Sequence, residues 1–144
     1  MVRLLASYTE TSEVLMPDAT NNLGRGLGGW VLHRMDLGGV IAARRFAQAQ
    51  VVTASIDRVD FHAPIDLGDI VVLTAYVYEV GETSMQVRVD VSAERPSEGR
   101  ERETASSYLT FVAIDENEDV RAVPALDVDS DRERELRRAA LDAA

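Results

Sequence analysis

The chain has 144 residues, of which 46% are hydrophobic, no cysteine, and a formal net charge of −10. This length and hydrophobic content predict one globular domain with its own core. The missing cysteines exclude disulfide frameworks, thiol catalysis and cysteine-ligated metal sites. The negative charge disfavours nucleic acid as a partner, because the sequence has no compensating basic patch.

The charged residues also indicate an environment. Acidic residues number 25 and basic residues 15, and every basic residue is arginine. This balance favours a high-salt cytoplasm, a GC-rich genome or both, with codon bias alone as the alternative. The sequence has no apolar run of membrane-spanning length and no basic-then-apolar signal pattern at its start. We therefore expect a cytoplasmic, halophilic protein that has no membrane partner.

The first half of the chain predicts a strand, a loop and one long helix. Short apolar stretches within residues 3–15 indicate an N-terminal strand, and proline and asparagine mark residues 16–24 as a loop. Residues 27–47 form a helical pattern that is apolar almost all the way round, which is typical of a helix inside a domain. Arg44 and Arg45 lie near its end, where cations suit the helix dipole.

The second half predicts an antiparallel sheet. Strand patterns cover residues 51–61, 70–80, 83–94 and 104–115, and tight turns separate them. The fold class is therefore α+β, with a long central helix wrapped by a curved antiparallel sheet. Because one sheet covers only part of such a helix, we expect at least a dimer. Residues 1–126 form the single domain, and residues 127–144 are a charged C-terminal tail, either a short exposed helix or disordered.

Asp36 is the residue least expected in its position. A carboxylate inside an apolar helix is costly unless it is paired or neutralised. It could deprotonate water or attack a carbonyl directly, and the alternative is a structural aspartate satisfied by backbone donors or an arginine. Gly28 and Gly29 begin the same helix, where unpaired N–H groups and the dipole could stabilise an oxyanion. Equally, these glycines could simply allow tight packing of the helix against the sheet.

Other hydrolytic chemistries find little support. The only histidines are His33 and His62, and no Gly-x-Ser-x-Gly motif is present. His33 and Asp36 are three residues apart on one helix face, which permits a metal pair without implying one. We expect no metal site.

A series of short motifs occurs in order along the chain. They are Met16-Pro17, Thr20-Asn21, Gly24, Gly28-Gly29, Met35-Asp36, Ala42-Ala43-Arg44, Val51-Val52-Thr53-Ala54-Ser55, Asp60-Phe61, Pro64-Ile65, Gly68-Asp69, Gly81, Thr83-Ser84-Met85 and Leu109-Thr110-Phe111-Val112-Ala113. Together, over roughly residues 10–125, the chain resembles the acyl-CoA thioesterases (acyl-CoA hydrolases) of the hotdog fold.

The resemblance implies a hotdog fold, dimers with joined sheets, and hexamers built as trimers of dimers. It also implies an active site at the dimer interface, with a catalytic asparagine and aspartate from opposite subunits. These match Asn21 and Asp36, and Asn21 is preferred to its neighbour Asn22 because it directly follows the matching threonine. Gly28 and Gly29 would bind the substrate and its oxyanion.

The resemblance also places the coenzyme A contacts, in the turn at Thr83 and Ser84 and in the last strand at Ser106 and Ser107. We add Arg58 and Arg88 as candidate phosphate partners, with solvated strand arginines as the alternative. Trp30 stands where a smaller residue is expected, so the preferred acyl chain length stays open.

The predicted activity is the hydrolysis of fatty acyl-CoA to a free fatty acid and coenzyme A, without a metal or redox cofactor. Two alternatives stay open. One is a non-catalytic acyl-CoA-binding regulatory module, and the other is a hotdog hydrolase of a specialised (aryl) thioester.

Overall fold

The computed structural model describes residues 1–143. Its elements in chain order are β1 (Val2–Arg3), α1 (Leu4–Ser7), β2 (Thr9–Val14), a 3-10 turn (Pro17–Ala19), α2 (Gly28–Ala47), β3 (Gln50–Phe61), β4 (Ile70–Val80), β5 (Ser84–Arg95), a second 3-10 turn (Pro96–Glu98), β6 (Arg100–Ile114), β7 (Leu126–Asp127) and α3 (Asp131–Ala143). None of the helices formed by residues 1–143 is both long and apolar enough to cross a membrane.

The main sheet has five antiparallel strands in the order β2-β4-β5-β6-β3. It contains the four strands predicted after the helix and the one predicted before it. The N-terminal strand is shorter than predicted, because the first apolar stretch of residues 3–15 forms helix α1 and β2 begins only at Thr9. Strand β6 is longer than predicted and starts at Arg100 rather than at residue 104, because the β5–β6 hairpin stays paired to its end, where Arg95 faces Arg100. The predicted hotdog architecture, a long helix against an antiparallel sheet, is confirmed.

Helix α2 lies directly on the sheet through two glycines in its middle. A Cβ atom at Gly39 would lie 2.9 Å from the ring of Phe111, and one at Gly38 would overlap Leu73. Because real Cβ atoms essentially never come so close, these two positions allow the close approach of helix and sheet. Larger side chains on the same face of α2, including Met35 and Phe46, are fully buried in the core.

The opposite face of α2 is open in the single chain. Leu37 is 44% exposed and Ile41 is 37% exposed, so the sheet does not enclose the helix as the all-round apolar pattern first suggests. Asp36 lies between the two environments and is half-buried. The uncovered apolar face agrees with the expectation that one sheet covers only part of this helix.

The C-terminal residues form a helix, which was one of the two expectations for the tail, but this helix packs on the outside of the sheet instead of standing free. β7 pairs in parallel with β1. The hydroxyl groups of Tyr76 and Tyr108 donate to the carbonyl oxygens of Leu136 (2.7 Å) and Ala140 (2.6 Å) in α3. This packing is hard to predict from the sequence, because Leu136 and Ala140 share one face of a helix in which most other residues are charged.

Candidate active site

Asn21 lies in an exposed loop that its own side chain shapes. Its Oδ1 atom accepts hydrogen bonds from the backbone N–H groups of Leu23 (2.9 Å) and Arg25 (3.1 Å), and its own N–H donates to the Arg25 carbonyl (2.8 Å). Because backbone N–H groups fix which side-chain atom is the oxygen, Nδ2 points away from the loop backbone. Asn21 therefore presents an amide donor on a rigid loop.

A cavity of about 410 Å³ opens beside this donor. Most of its wall is apolar, while Asn21, Arg25 and His62 supply polar groups. The residues that line it are Asn21, Arg25, Gly26, Gly28, Val31, Phe61, His62, Ala63, Pro64, Ile65, Thr104 and Ala105. Such a mixture of apolar wall and few polar groups is typical of a small-molecule site.

The start of α2 forms part of the same cavity. Gly28 is the first residue of α2, and the first intrahelical bond of α2 runs from the Val31 N–H to the Leu27 carbonyl at 3.1 Å. The N–H groups before Val31 lack intrahelical partners, and the helix dipole makes this end positive. An electron-rich carbonyl oxygen would be stabilised there.

The glycines at this end do not serve tight packing. A Cβ at Gly29 would meet nothing within 4 Å in the chain, and one at Gly28 would meet only Phe61, at an ordinary 3.6 Å. Close packing against the sheet is instead the role of Gly38 and Gly39. The contacts of Gly28 and Gly29 therefore do not support the packing interpretation of these two glycines.

Asp36 lies outside this cavity, two helical turns further along α2. Eight residues separate it from Gly28, which corresponds to a rise of about 12 Å. The Thr53 hydroxyl in β3 donates to Asp36 Oδ1 at 2.8 Å. One chain therefore does not bring Asn21 and Asp36 together, and Asp36 faces the open side of the helix.

Thr53 contacts the candidate residue Asp36, and sequence reasoning missed this contact. The only signal of Thr53 is its place in the Val51–Ser55 motif, which did not reveal a partner. The contact becomes visible only when β3 is placed against α2, because Thr53 and Asp36 are seventeen residues apart in sequence.

The two predicted phosphate partners are already engaged in the chain. Arg88 is largely buried, donates to Asp90 at 2.8 Å and lies over the Tyr108 ring at 4.7 Å. Arg58 is more exposed, and it binds Asp60 (3.1 Å) and the Ala143 carbonyl (3.0 Å). Neither lines the cavity.

The predicted hydroxyl contacts are dispersed in the single chain. Thr83 and Ser84 lie at the β4–β5 turn, Ser106 Oγ is 3.1 Å from His62 Nε2, and Ser107 donates to the Asp57 carbonyl at 3.3 Å. None of these four lines the cavity that contains Asn21. Trp30 does not line it either, and the Arg34 guanidinium covers its ring at 4.8 Å.

Comparison with known proteins gives one consistent answer. The model of the thioesterase superfamily matches residues 24–99. The acyl-CoA thioester hydrolase YkhA of Bacillus subtilis (strain 168), a protein described as uncharacterized, is 38% identical over 139 residues, which cover 96% of this chain and 80% of that protein.

Solved structures agree. The acyl-CoA hydrolase of Staphylococcus aureus, solved with butyryl coenzyme A, coenzyme A and coenzyme A disulfide, has a TM-score of 0.90 and 33% identity, covering 98% of this chain and 86% of that one. That enzyme has also been solved with alanine in place of an aspartate, a threonine or an asparagine. An apo-hexameric acyl-CoA thioesterase has a TM-score of 0.91 and 35% identity, and the match covers 98% of this chain and 90% of that one.

The family predicted from the motifs is thus confirmed by a matching family model, by a relative that spans almost the whole chain, and by structures that share its fold. The chain belongs to the thioesterase superfamily, as a hotdog-fold member of the acyl-CoA thioester hydrolases.

Proposed function

We propose that this chain hydrolyses acyl-CoA thioesters to a free acid and coenzyme A at a site built by two subunits. One subunit supplies Asn21 and the helix N-terminus, and the other supplies Asp36. The observation that carries the proposal is the position of Asp36: it is held by Thr53 on an uncovered helix face, outside the cavity that presents Asn21. A second subunit on that face can complete the site.

The Staphylococcus aureus enzyme supports the choice of residues. The asparagine, aspartate and threonine replaced by alanine in its solved variants are separated by fifteen and then seventeen residues. Asn21, Asp36 and Thr53 have the same spacing in this chain. Two equal spacings in an overall fold of TM-score 0.90 make these three residues the best candidates for the reacting site.

The oxyanion donors come from the cavity. We place the thioester carbonyl oxygen between Asn21 Nδ2 and the N–H groups at Gly28 and Gly29. These donors are fixed before the reaction and face an oxygen that gains negative charge in the transition state, which is the condition under which hydrogen bonds accelerate acyl transfer.

Asp36 supplies the basic group. Thr53 occupies Oδ1, so Oδ2 is available toward the substrate. As a general base, Asp36 takes a proton from water while the water oxygen attacks the carbonyl carbon, and the proton passes to the departing coenzyme A sulfur as the C–S bond breaks. As a nucleophile, Asp36 attacks the carbonyl carbon, the C–S bond breaks, and coenzyme A leaves as a thiolate that takes a proton from solvent; water then hydrolyses the resulting anhydride, which releases the acid and regenerates the Asp36 carboxylate. Neither route uses a metal or a redox cofactor.

The partner subunit would cover the open side of α2 and the free edge of β3. β3 is the last strand of the sheet, and its neighbourhood exposes Leu37, Ile41, Val52 and Ile56. Apolar side chains beside an unpaired strand edge are typical of an interface. We propose a dimer with joined sheets, assembled into a hexamer as in the hexameric thioesterase of similar fold.

For coenzyme A we keep the six predicted contacts as proposals and rank Arg58 above Arg88, because Arg58 is the more exposed. The others are Thr83, Ser84, Ser106 and Ser107. We also propose a high-salt cytoplasm as the working environment, supported by 25 acidic residues against 15 basic residues and no lysine. Activity retained in molar KCl would support that environment, and inactivation by it would contradict it.

A thiol-release assay across acyl-CoAs of different length and aromaticity tests the proposed function. We expect turnover on aliphatic acyl-CoAs, and a loss of about 100- to 1,000-fold in both Asn21→Ala and Asp36→Ala with the oligomer intact. Full activity in Asp36→Ala would exclude this mechanism. Binding without turnover would indicate a regulatory module, and turnover confined to aryl substrates would indicate a specialised thioesterase.

A further inference from the structure

A cluster of four charged residues lies behind the cavity and touches none of the residues assigned to catalysis. Asp69 is its centre, with only 3% of its side chain exposed. Asp69 accepts hydrogen bonds from Arg95 Nε (3.1 Å), Arg102 Nη2 (3.1 Å) and the Asp66 N–H (2.9 Å), and both arginines also contact the Asp66 carboxylate. Burial acts to raise the pKa of Asp69, but the hydrogen bonds from Asp66 and Arg95 outweigh it, so that the pKa is lowered and Asp69 is ionised.

Arg102 connects this cluster to the cavity wall. The Nη2 atom that binds Asp69 also donates to the Pro64 carbonyl at 2.8 Å. Pro64 and Ile65 both line the cavity. The backbone N–H groups of His62 and Ala63 still donate to the Thr104 carbonyl in β6, but residues 64–67 do not pair with the sheet. The hydrogen bond from Arg102 therefore connects this segment to β6.

Residues 65–67 in turn hold the loop that carries Asn21. The Gly26 N–H donates to the Ile65 carbonyl at 2.8 Å, and the Leu67 N–H donates to the Gly24 carbonyl at 2.8 Å. Arg25, between Gly24 and Gly26, supplies one of the two N–H groups that donate to Asn21 Oδ1. A path of hydrogen bonds, joined by the peptide links Pro64–Ile65 and Arg25–Gly26, therefore runs from Asp69 through Arg102 to the Asn21 carboxamide.

We infer that Arg102, held by Asp69, is a positioning residue that aims Asn21 Nδ2 through this path. The inference rests on the proposed function, because it assigns Asn21 a donor role. The main sheet does not depend on the cluster, since the backbone ladders of β4, β5 and β6 run past it. Loss of Arg102 should therefore displace the donor while leaving the fold intact.

The test is a double-mutant cycle with Arg102→Gln and Asn21→Ala in the full-length oligomer, read as kcat and KM in the thiol-release assay. Arg102→Gln should lower kcat about 10- to 100-fold, because a displacement of the Asn21 donor by roughly 1 Å is enough to lose that much transition-state stabilisation. It should change KM far less. In the Asn21→Ala background the same substitution should change kcat less than about twofold, because the group it positions is gone.

Arg100→Gln is the matched control, since Arg100 is exposed in the same strand and its guanidinium has no hydrogen-bond or ion-pair partner among residues 1–143. It should leave kcat unchanged. If Arg102→Gln does not fold, Arg102→Lys replaces it in the cycle; a single ammonium keeps the charge beside Asp69 but loses the planar fork, so a smaller loss with the same dependence on Asn21 is expected.

Equal losses from the Arg102 substitution in both backgrounds, or no loss in either, would overturn the inference and leave the proposed function standing. Wild-type turnover in Asn21→Ala would instead reject the donor role of Asn21, and with it both proposals. These outcomes separate the two claims.

Discussion

Two carboxylates of this chain, Asp36 and Glu133, stand in opposite environments. Glu133 is fully buried in α3 and accepts hydrogen bonds from five donors: the Arg3 guanidinium, the Leu5 N–H, the Asp129 N–H, and the N–H and hydroxyl of Ser130. Asp36 is half-buried and has one side-chain donor, Thr53.

The difference separates structural from chemical roles. Both oxygens of the Glu133 carboxylate accept from protein donors, four on Oε1 and one on Oε2, and the residue has no exposed surface. This carboxylate therefore connects the N-terminal residues to the C-terminal helix and is not accessible to a substrate. Asp36 keeps acceptor capacity and faces an uncovered surface. A carboxylate that the chain satisfies completely is a structural anchor, and one that it satisfies in part is available for catalysis.

The largest expected effect is on activity at Asp36. Asp36→Asn keeps the size of the side chain and an oxygen for Thr53 but removes the base. We expect kcat to fall about 100- to 1,000-fold while the free energy of unfolding changes by less than about 0.5 kcal/mol. Turnover and the free energy of unfolding in urea are measured on one preparation of each protein. Unfolding of the variant at a lower urea concentration than wild type would show that Asp36, like Glu133, has a structural role.

Glu133 should show the reverse. In Glu133→Gln one carboxylate oxygen becomes an amide nitrogen that cannot accept, so either the Leu5 N–H at Oε2 or the Arg3 and Ser130 donors at Oε1 lose their acceptor, and the ion pair with Arg3 is lost in both cases. We expect a loss of about 3 kcal/mol in the free energy of unfolding, with turnover per folded enzyme unchanged. Urea unfolding at fixed subunit concentration measures it. A stable variant with impaired turnover would contradict the division of roles.

Acid should remove the contribution of Glu133. Burial alone would raise its pKa, but the hydrogen bonds from Leu5, Arg3 and Ser130 outweigh it and hold the pKa well below its usual range. Because the folded pKa lies below the unfolded value of about 4.3, the stabilisation is complete above that value and is lost as the pH falls towards the folded pKa. The difference in unfolding free energy between wild type and Glu133→Gln should therefore shrink below about pH 4, and a difference constant with pH would contradict the ion-pair account.

The smallest expected effect concerns Thr53, the hydrogen-bond donor to Asp36. Thr53→Val removes the one hydroxyl that orients Asp36 and keeps the shape of the side chain. We expect kcat to fall about 10-fold, well short of the loss in Asp36→Asn, because the base remains but is less well aimed. Steady-state kinetics beside Ser55→Ala, a hydroxyl loss in the same strand, would measure it. Equal activity in Thr53→Val and wild type would remove Thr53 from the site.

Most of the fold, and the unusual chemistry of single positions, can be predicted from the sequence, but few contacts between distant residues can. The helix at 27–47 and the strand at 70–80 follow from periodicity and turn residues, which are local properties. Asp36 could be singled out because a charge in an apolar helix is unusual.

Contacts between distant segments could not be predicted in this way. The pairing of Thr53 with Asp36 depends on how β3 lies against α2, and the docking of α3 depends on Tyr76 and Tyr108 meeting two carbonyls across the sheet. Glu133 looked like one more charge in a solvated run, because two of its five donors, Arg3 and Leu5, come from the other end of the chain. Such contacts are fixed by tertiary packing rather than by local pattern.

Complementation between inactive subunits tests the central claim most directly. Asn21→Ala and Asp36→Ala subunits are unfolded together, refolded as a mixture and assayed for thiol release. If each site takes Asn21 from one subunit and Asp36 from the other, a mixed dimer contains one intact site and one doubly impaired site. Random pairing then restores about one quarter of wild-type activity, since half of the dimers are mixed. A mixture no more active than its two components would contradict a site shared between subunits.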